Sequence, residues 1–302
     1  MQIDLDKLFK NGFSTGHGHL REPNDIMSYS ALAAIAIQSN QNDQHGGQSI
    51  PAFDYYLAPG VLKTFRKMLK TTIKDYIDLE DLNDFVNVAS IEKEIAKINT
   101  IDITVDYFEK FYKTSDLMKR LFEMSIKKSL EKTDKRTYQA MEAFVHNLNT
   151  MHSRAGAQVP FSSINFGTDT SSEGRMVTKN YMLASEAGLG HGETPIFPIS
   201  IFKVKEGVNY NPEDPNYDLF KLSLRVSAKR LFPNWSFLDS SFNKPYYKAG
   251  DFRTEVGYMG CRTRVIGNVV DPDKQITPGR GNLSFTSINL PRLGIKHGIV
   301  GK

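Results

Sequence analysis

The chain has one cysteine, Cys261, among 302 residues. A single thiol excludes an intrachain disulfide, and no CxxC pair or Cys/His cluster offers a metal site. A reducing compartment fits that composition. Long apolar runs are also missing. The longest, residues 31–37, is far too short to span a bilayer. The opening MQIDLDK has no basic segment leading into an apolar run, so it does not read as a signal peptide. These absences point to a cytoplasmic chain without a membrane partner. Charge of one sign is scarce as well. The formal net charge of +4 arises from 38 basic and 34 acidic residues, which does not describe a dedicated nucleic-acid binder. DNA is therefore not an expected partner, whereas small anions such as nucleotides are compatible. No repeat, low-complexity tract or Pro/Ser linker divides the chain, so residues 1–302 read as one domain.

Residues 1–24 read as irregular, with a Gly/His-rich stretch at 12–19. Asn24 or Asp25 then caps a helix over 26–40 that is apolar on nearly all sides and so buried. Residues 38–49 are dense in amides, which carry donors and acceptors together; their plain reading is a solvated loop. Helical spacing recurs at 61–79, with Leu62, Phe65, Leu69, Ile73, Tyr76 and Ile77 on one face, and again at 103–131 and 134–153. In the last of these His152 shares the apolar face, which suits a core or interface histidine, and Gly156 is the expected C-cap.

After Gly156 the pattern changes. Residues 159–167 alternate apolar and polar as a strand does. A helix follows at 174–187, a Gly-rich loop at 188–193, a strand at 197–204 and a helix at 216–231. Short strands are expected at 234–238, 256–265 and 283–290. Strands alternating with helices give an α/β domain with a partly parallel sheet or barrel.

The residues alone do not name a ligand. Cys261 has no identified base partner, and a lone cysteine is commonly an inert small hydrophobe. Arg262 and Arg264 flank it, but strand neighbours point to the opposite face, which weakens a thiolate-nucleophile reading. The Gly-rich loop lacks the Gly-Lys-Ser/Thr ending of a phosphate-binding loop and the spacing of a dinucleotide fingerprint. Glu186 and Glu193 flank it without spacing that makes an acid/base pair.

Six stretches carry a resemblance: NGFSTGHG (11–18), QHGGQSIP (44–51), MHSRAGAQVPFSSIN (151–165), the segment 186–198 opening with EAGLG, MGCRTR (259–264) and GRGNLSF (279–285). Together they resemble the anaerobic, glycyl-radical ribonucleoside-triphosphate reductases, and they cover nearly the whole chain. The resemblance implies a ten-stranded α/β barrel of two half-barrels, here incomplete at both ends. A finger loop near 259–265 would pass through its middle, with barrel strands over 157–302. The helical layer 61–153 would supply the dimer face and the effector region.

The chemistry implied is reduction of ribonucleoside triphosphates to deoxyribonucleoside triphosphates, with formate as reductant. By motif match Cys261 is the thiyl-radical carrier. A hydrogen-atom carrier needs no base, which removes the objection raised by its surroundings. Asn282 is the implied substrate-binding asparagine beside the radical, with Asn289 as second choice. Thr263 occupies the place where a small polar residue leaves room for formate. Ser162, Ser163 and Asn165 are implied to face the ribose, with ordinary strand alternation weighing equally; His45, Gly47 and Ser49 are assigned to the substrate or effector pocket.

The family also implies ATP or deoxynucleotide effectors, a radical-SAM activating enzyme and a homodimer. A second cysteine on the first barrel strand, a glycyl-radical loop and a four-cysteine zinc site have no counterpart in this sequence. The resemblance places the last two in a further C-terminal part, so the chain alone is expected to be inactive. The alternatives are a non-catalytic nucleotide-binding and dimerising module, and, less favoured by the matched stretches, another glycyl-radical enzyme such as a lyase.

Overall fold

The computed structural model describes residues 1–44, 46–82, 86–154, 156–260, 263–265, 267–281 and 286–298. Helix α1 (Leu5–Asn11) is capped by Asp4, whose carboxylate accepts the Lys7 amide, and leads into a two-stranded hairpin, β1 (Phe13–Ser14) with β2 (His19–Leu20). The expectation of irregular chain over 1–24 is therefore corrected. The Gly/His-rich segment is the turn of a short antiparallel pair, too brief to leave a periodic signal. Helix α2 (Ile26–Asp43) begins with a full capping box between Asp25 and Ser28. It extends three residues past the expected end, and the first half of the amide-dense stretch belongs to it. The amide loop is corrected further by strand β3 (Gln48–Ile50).

Helix α3 (Phe53–Leu79) starts eight residues before the spacing predicts, because Pro59 sits inside its early turns and masks the pattern. Helix α4 (Val88–Ile95), a 3-10 turn over Val105–Phe108 and the short α5 (Glu109–Tyr112) follow. Helix α6 (Asp116–Thr150) is one continuous rod where two helices are expected. It ends at Met151, so Gly156 is not its C-cap. His152 lies beyond it and is exposed, not on a core face.

The rest alternates. Strand β4 (Ser162–Phe166), helix α7 (Ser172–Ala187), strand β5 (Ile199–Val204), helix α8 (Tyr217–Arg230) and strand β6 (Asn234–Phe237) follow in turn. Then come a hairpin of β7 (Gly257–Met259) with β8 (Thr263–Val265), and helix α9 (Leu290–His297). The strand expected at 283–290 is not found over 286–289, and residue 290 opens α9, whose apolar side chains are exposed; residues 283–285 lie outside the described residues.

Strands β3, β4, β5 and β6 form a parallel sheet in that order, and Gln2 extends it by a parallel bridge to Ser49. Sequential parallel neighbours need long crossovers, which the helices provide. The sheet begins with Gln2 and β3, ahead of residue 157. It is α/β as expected, with four strands and one bridge among the described residues. The helices cover one face. There Phe166 packs edge-on to Tyr181 of α7 with ring centroids 5.2 Å apart, and Phe202 meets Phe220 of α8. Phe53 and Phe144 join α3 and α6 behind them. Among the described residues no helix is long and apolar enough to cross a membrane.

Candidate active site

The second face of the sheet is polar and yet buried. Side chains alternate along a strand, so Ile164, Phe166 and Phe202 point to the helices while Ser163, Asn165 and Lys203 point the other way. Register places Ser49 beside Ser163 on that same face. All four residues are at most 1 % exposed. Buried polar groups require partners, and here the partner is the β7–β8 hairpin.

The hairpin is joined to the sheet by side chains of β3 and β4. The Asn165 amide Nδ2 donates to the Tyr258 carbonyl at 3.0 Å, and its Oδ1 accepts the Tyr258 N–H at 2.9 Å. Ser49 Oγ donates to the same carbonyl at 2.6 Å. Ser163 Oγ accepts the Gly260 N–H at 3.0 Å. Moving along β7 from Tyr258 to Gly260 thus runs back along β4 from Asn165 to Ser163, so Gly260 lies toward the amino-terminal end of β4. Met259 pairs with Thr263, and Gly260, which follows β7, has φ +58°. Cys261 falls between the two strands in sequence; it lies outside the described residues, as do His45 and Asn282.

A charged anchor fixes the base of the hairpin. Lys203 Nζ lies 2.9 Å from Glu255 Oε2 and also donates to the Pro51 carbonyl at 2.7 Å. Thr168 Oγ donates to the same Glu255 oxygen at 2.9 Å, and Thr277 Oγ donates to the Glu255 carbonyl. Beneath this, Asp54 accepts the backbone N–H groups of Gly167 and Asp169 at 2.7 and 3.0 Å. Gly167 has φ +116°, a conformation open to glycine, which lets the chain turn over that carboxylate. Burial pushes the Asp54 carboxyl up, opposed by those N–H groups and by Lys203. Burial, followed by the Asp54 charge, pushes Asp169 up to about 7.

The sequence-derived site residues separate into groups. Ser49, Ser163 and Asn165 come together on the hairpin, and Gly47 approaches Gly260 and Phe161 so closely that a side chain at residue 47 would touch both. Thr263 is on β8, exposed, opposite Met259. Ser162 points to the helix side; it is buried and its Oγ has no partner among the described residues. Asn289 caps α9 by accepting the Arg292 amide at 2.9 Å. The Gly-rich loop 188–193 is a connector tied down by Arg230, which donates to the Glu186, Ala187 and Gly192 carbonyls. Glu186 pairs with Arg225 at 2.7 Å, and Glu193 accepts the His191 amide.

Sequence reasoning missed Lys203, Glu255 and Tyr258. A lysine inside the apolar run Ile199–Val204 was the available signal, since an unpaired buried lysine is costly. It also missed Arg154, which donates to the Gln41 and Gln44 carbonyls and so holds the end of α2 beside β3.

The family described as anaerobic ribonucleoside-triphosphate reductase matches residues 1–299. The chain is 29 % identical over 294 residues to the anaerobic ribonucleoside-triphosphate reductase of Enterobacteria phage T4, covering 97 % of this chain and 40 % of that protein. It is 27 % identical over 297 residues to the proteins of the same name from Escherichia coli K12 and Haemophilus influenzae, in each case covering 98 % of this chain and 34 % of the relative. The chain thus spans between a third and two fifths of the length of these relatives. A match running from the first residue through the hairpin to residue 299 places the chain in the anaerobic ribonucleoside-triphosphate reductase family, a family of enzymes.

Proposed function

We propose that this chain is the part of an anaerobic ribonucleoside-triphosphate reductase that holds the substrate and the thiyl-radical cysteine, Cys261. The observation that carries the reading is the hairpin: Ser49, Ser163 and Asn165 fix the strand leading to Cys261 with hydrogen bonds of 2.6 to 3.0 Å. Placement of a reacting atom to within fractions of an ångström is what such support provides. Ser49, Ser163 and Asn165 then act first as positioning residues for the finger, with any ribose contact secondary.

In this reading the Cys261 sulfur, as a radical, takes the 3′ hydrogen atom of the ribose and returns one at the end. The 2′ hydroxyl leaves as water. Formate supplies two electrons and leaves as carbon dioxide, so the sum is ribonucleotide plus formic acid giving deoxyribonucleotide, carbon dioxide and water. Thr263 leaves room for formate, Asn282 hydrogen-bonds the substrate, and His45 and Gly47 line the pocket. A four-cysteine zinc site does not fit a chain with one cysteine. The barrel would be completed by chain beyond the present sheet, half of it being the five parallel segments. ATP and deoxynucleotide effectors, a radical-SAM activating enzyme, homodimerisation and a cytoplasmic location belong to the same proposal.

The test is an anaerobic assay of this chain with formate, the activating enzyme and a radical-bearing C-terminal segment supplied in trans. Deoxyribonucleotide is expected from the wild type and none from Cys261→Ser. Full activity in that variant, or none in the wild type, overturns the proposal. A second reading, a non-catalytic nucleotide-binding and dimerising module, draws on the exposed Leu117 and Met124 of α6; deoxynucleotide binding without turnover would favour it.

A further inference from the structure

The β4 side chains that meet the hairpin form one row: Asn165 holds Tyr258 and Ser163 holds Gly260. Strand alternation puts Phe161, the residue before β4, next in that row. Three strand ends converge on its ring. Gly47 immediately precedes β3 and Gly260 immediately follows β7. A β-carbon on Gly47 would lie 3.4 Å from a ring carbon of Phe161, and one on Gly260 would lie 3.3 Å from another. Both neighbours are glycine, so the ring closes directly on backbone. The Gln48 N–H donates to the Phe161 carbonyl at 2.8 Å and ties the backbone of that residue to β3.

Phe197 seats the same ring. The two meet edge-on, with centroids 5.0 Å apart and planes at 63°. Asn149, in the last turn of α6, fixes Phe197 in turn. Its Oδ1 accepts the Ile196 and Phe197 N–H groups at 2.9 and 3.1 Å, and its Nδ2 donates to the Phe197 carbonyl at 2.5 Å. Phe161 is thus tied to the helical layer as well as to the sheet. Yet 43 % of the residue stays exposed, so it forms a wall beside Gly260 and not a part of the core.

We propose that Phe161 is a positioning residue for the radical cysteine: its ring seats Gly260, sets where the next residue, Cys261, begins, and keeps water from that point. The inference rests on the reading of Cys261 as the radical carrier. Such a carrier must hold its sulfur at a fixed place and away from solvent species that would quench it. A phenyl ring suits both needs. It is rigid, and its ring C–H bonds are too strong for a thiyl radical to break. Asn165 and Ser163 hold β7 by hydrogen bonds, and Phe161 holds the chain leaving it by contact.

The experiment uses the full chain, in which Cys261 is the only thiol, so a thiol reagent reports that residue alone. The readouts are the rate of alkylation by iodoacetamide and the EPR line shape of a nitroxide label on the thiol, both well below the melting temperature. In Phe161→Ala the rate is expected to rise about five- to tenfold and the label to become more mobile, as the loss of one seated aromatic contact implies. Phe161→Tyr keeps the ring and should react within about twofold of the wild type. Phe161→Leu keeps apolar bulk without the ring; it should fall between, and it carries the test if the alanine variant does not fold. The control is Phe108→Leu, deep in the helical layer, which should lower the melting temperature and leave both readouts unchanged. Unchanged rate and mobility in Phe161→Ala and Phe161→Leu, a tyrosine variant as reactive as the alanine one, or an equal rise in Phe108→Leu overturns the proposal. In the reductase assay with the C-terminal segment supplied, Phe161→Ala should lower kcat and leave KM near its wild-type value; a raised KM with unchanged kcat would mark a substrate contact and overturn it. Absence of turnover in the wild type counts against the reductase reading alone, because the thiol measurements need no turnover.

Discussion

Asn165 acts at the scale of one residue as a two-way clamp. An amide side chain presents a donor and an acceptor with the geometry of a peptide group, so it can substitute for a missing neighbouring strand. It meets both the N–H and the carbonyl of Tyr258 at 2.9 and 3.0 Å. Serine at the same place is shorter and would have to meet both groups through a single oxygen. Asn165→Ala removes the partner of the Tyr258 N–H but leaves Ser49 on the carbonyl, and is expected to cost about 1–3 kcal/mol. Urea denaturation measures the cost. Hydrogen exchange at the Tyr258 amide locates it; an unchanged exchange rate there would refute the clamp.

Among the elements, the β7–β8 hairpin depends most on groups outside itself. An isolated two-stranded hairpin is marginal in water, and this one has only three residues in each strand. Its base is fixed by the buried Lys203–Glu255 pair, with both side chains at most 4 % exposed. Removing one charge of such a pair leaves the other buried without a counter-charge. Glu255→Gln is therefore expected to destabilise the protein by about 3 kcal/mol, while the double change Lys203→Met/Glu255→Leu recovers much of that loss. Thermal melting of the wild type and the two variants checks the order; a double variant no better than the single one would show that the polar contacts matter more than the charge.

For the whole molecule, the buried carboxyls couple stability to pH. The unfolded Asp169 titrates near its ordinary value of 3.8, whereas the folded carboxyl is pushed up to about 7 by burial and by Asp54. Between those values the folded state holds a proton that the unfolded state has released, so this group's contribution to stability falls as pH rises from about 4 to 7. Asp54, shifted in the same direction, adds the same sign. In Asp169→Asn the side-chain oxygen can still accept the Ser171 amide without titrating. The melting temperature of the variant relative to wild type should rise across that pH window; a constant difference would disprove the assignment.

The helices were legible where one face was apolar over several turns, as in the later part of α3, or where a run was apolar on nearly all sides, as in α2, because those patterns survive in the residues alone. The start of α3 was hidden by Pro59, and β3 by its three residues, too few for any period. In β4 the alternation Ser163-Ile164-Asn165-Phe166 gave the strand correctly and suggested ordinary alternation as one meaning of its polar side. What the sequence by itself determined is local: helix periods, the Asp25 cap, the strands, and a set of stretches matching one enzyme family along nearly the whole chain. Only the tertiary structure decided that every residue of β4 is buried and that its polar face holds the hairpin. The physical reason is that a side chain's need for a partner is written in its own chemistry, but the partner lies 93 residues away in the chain and becomes its neighbour only on folding.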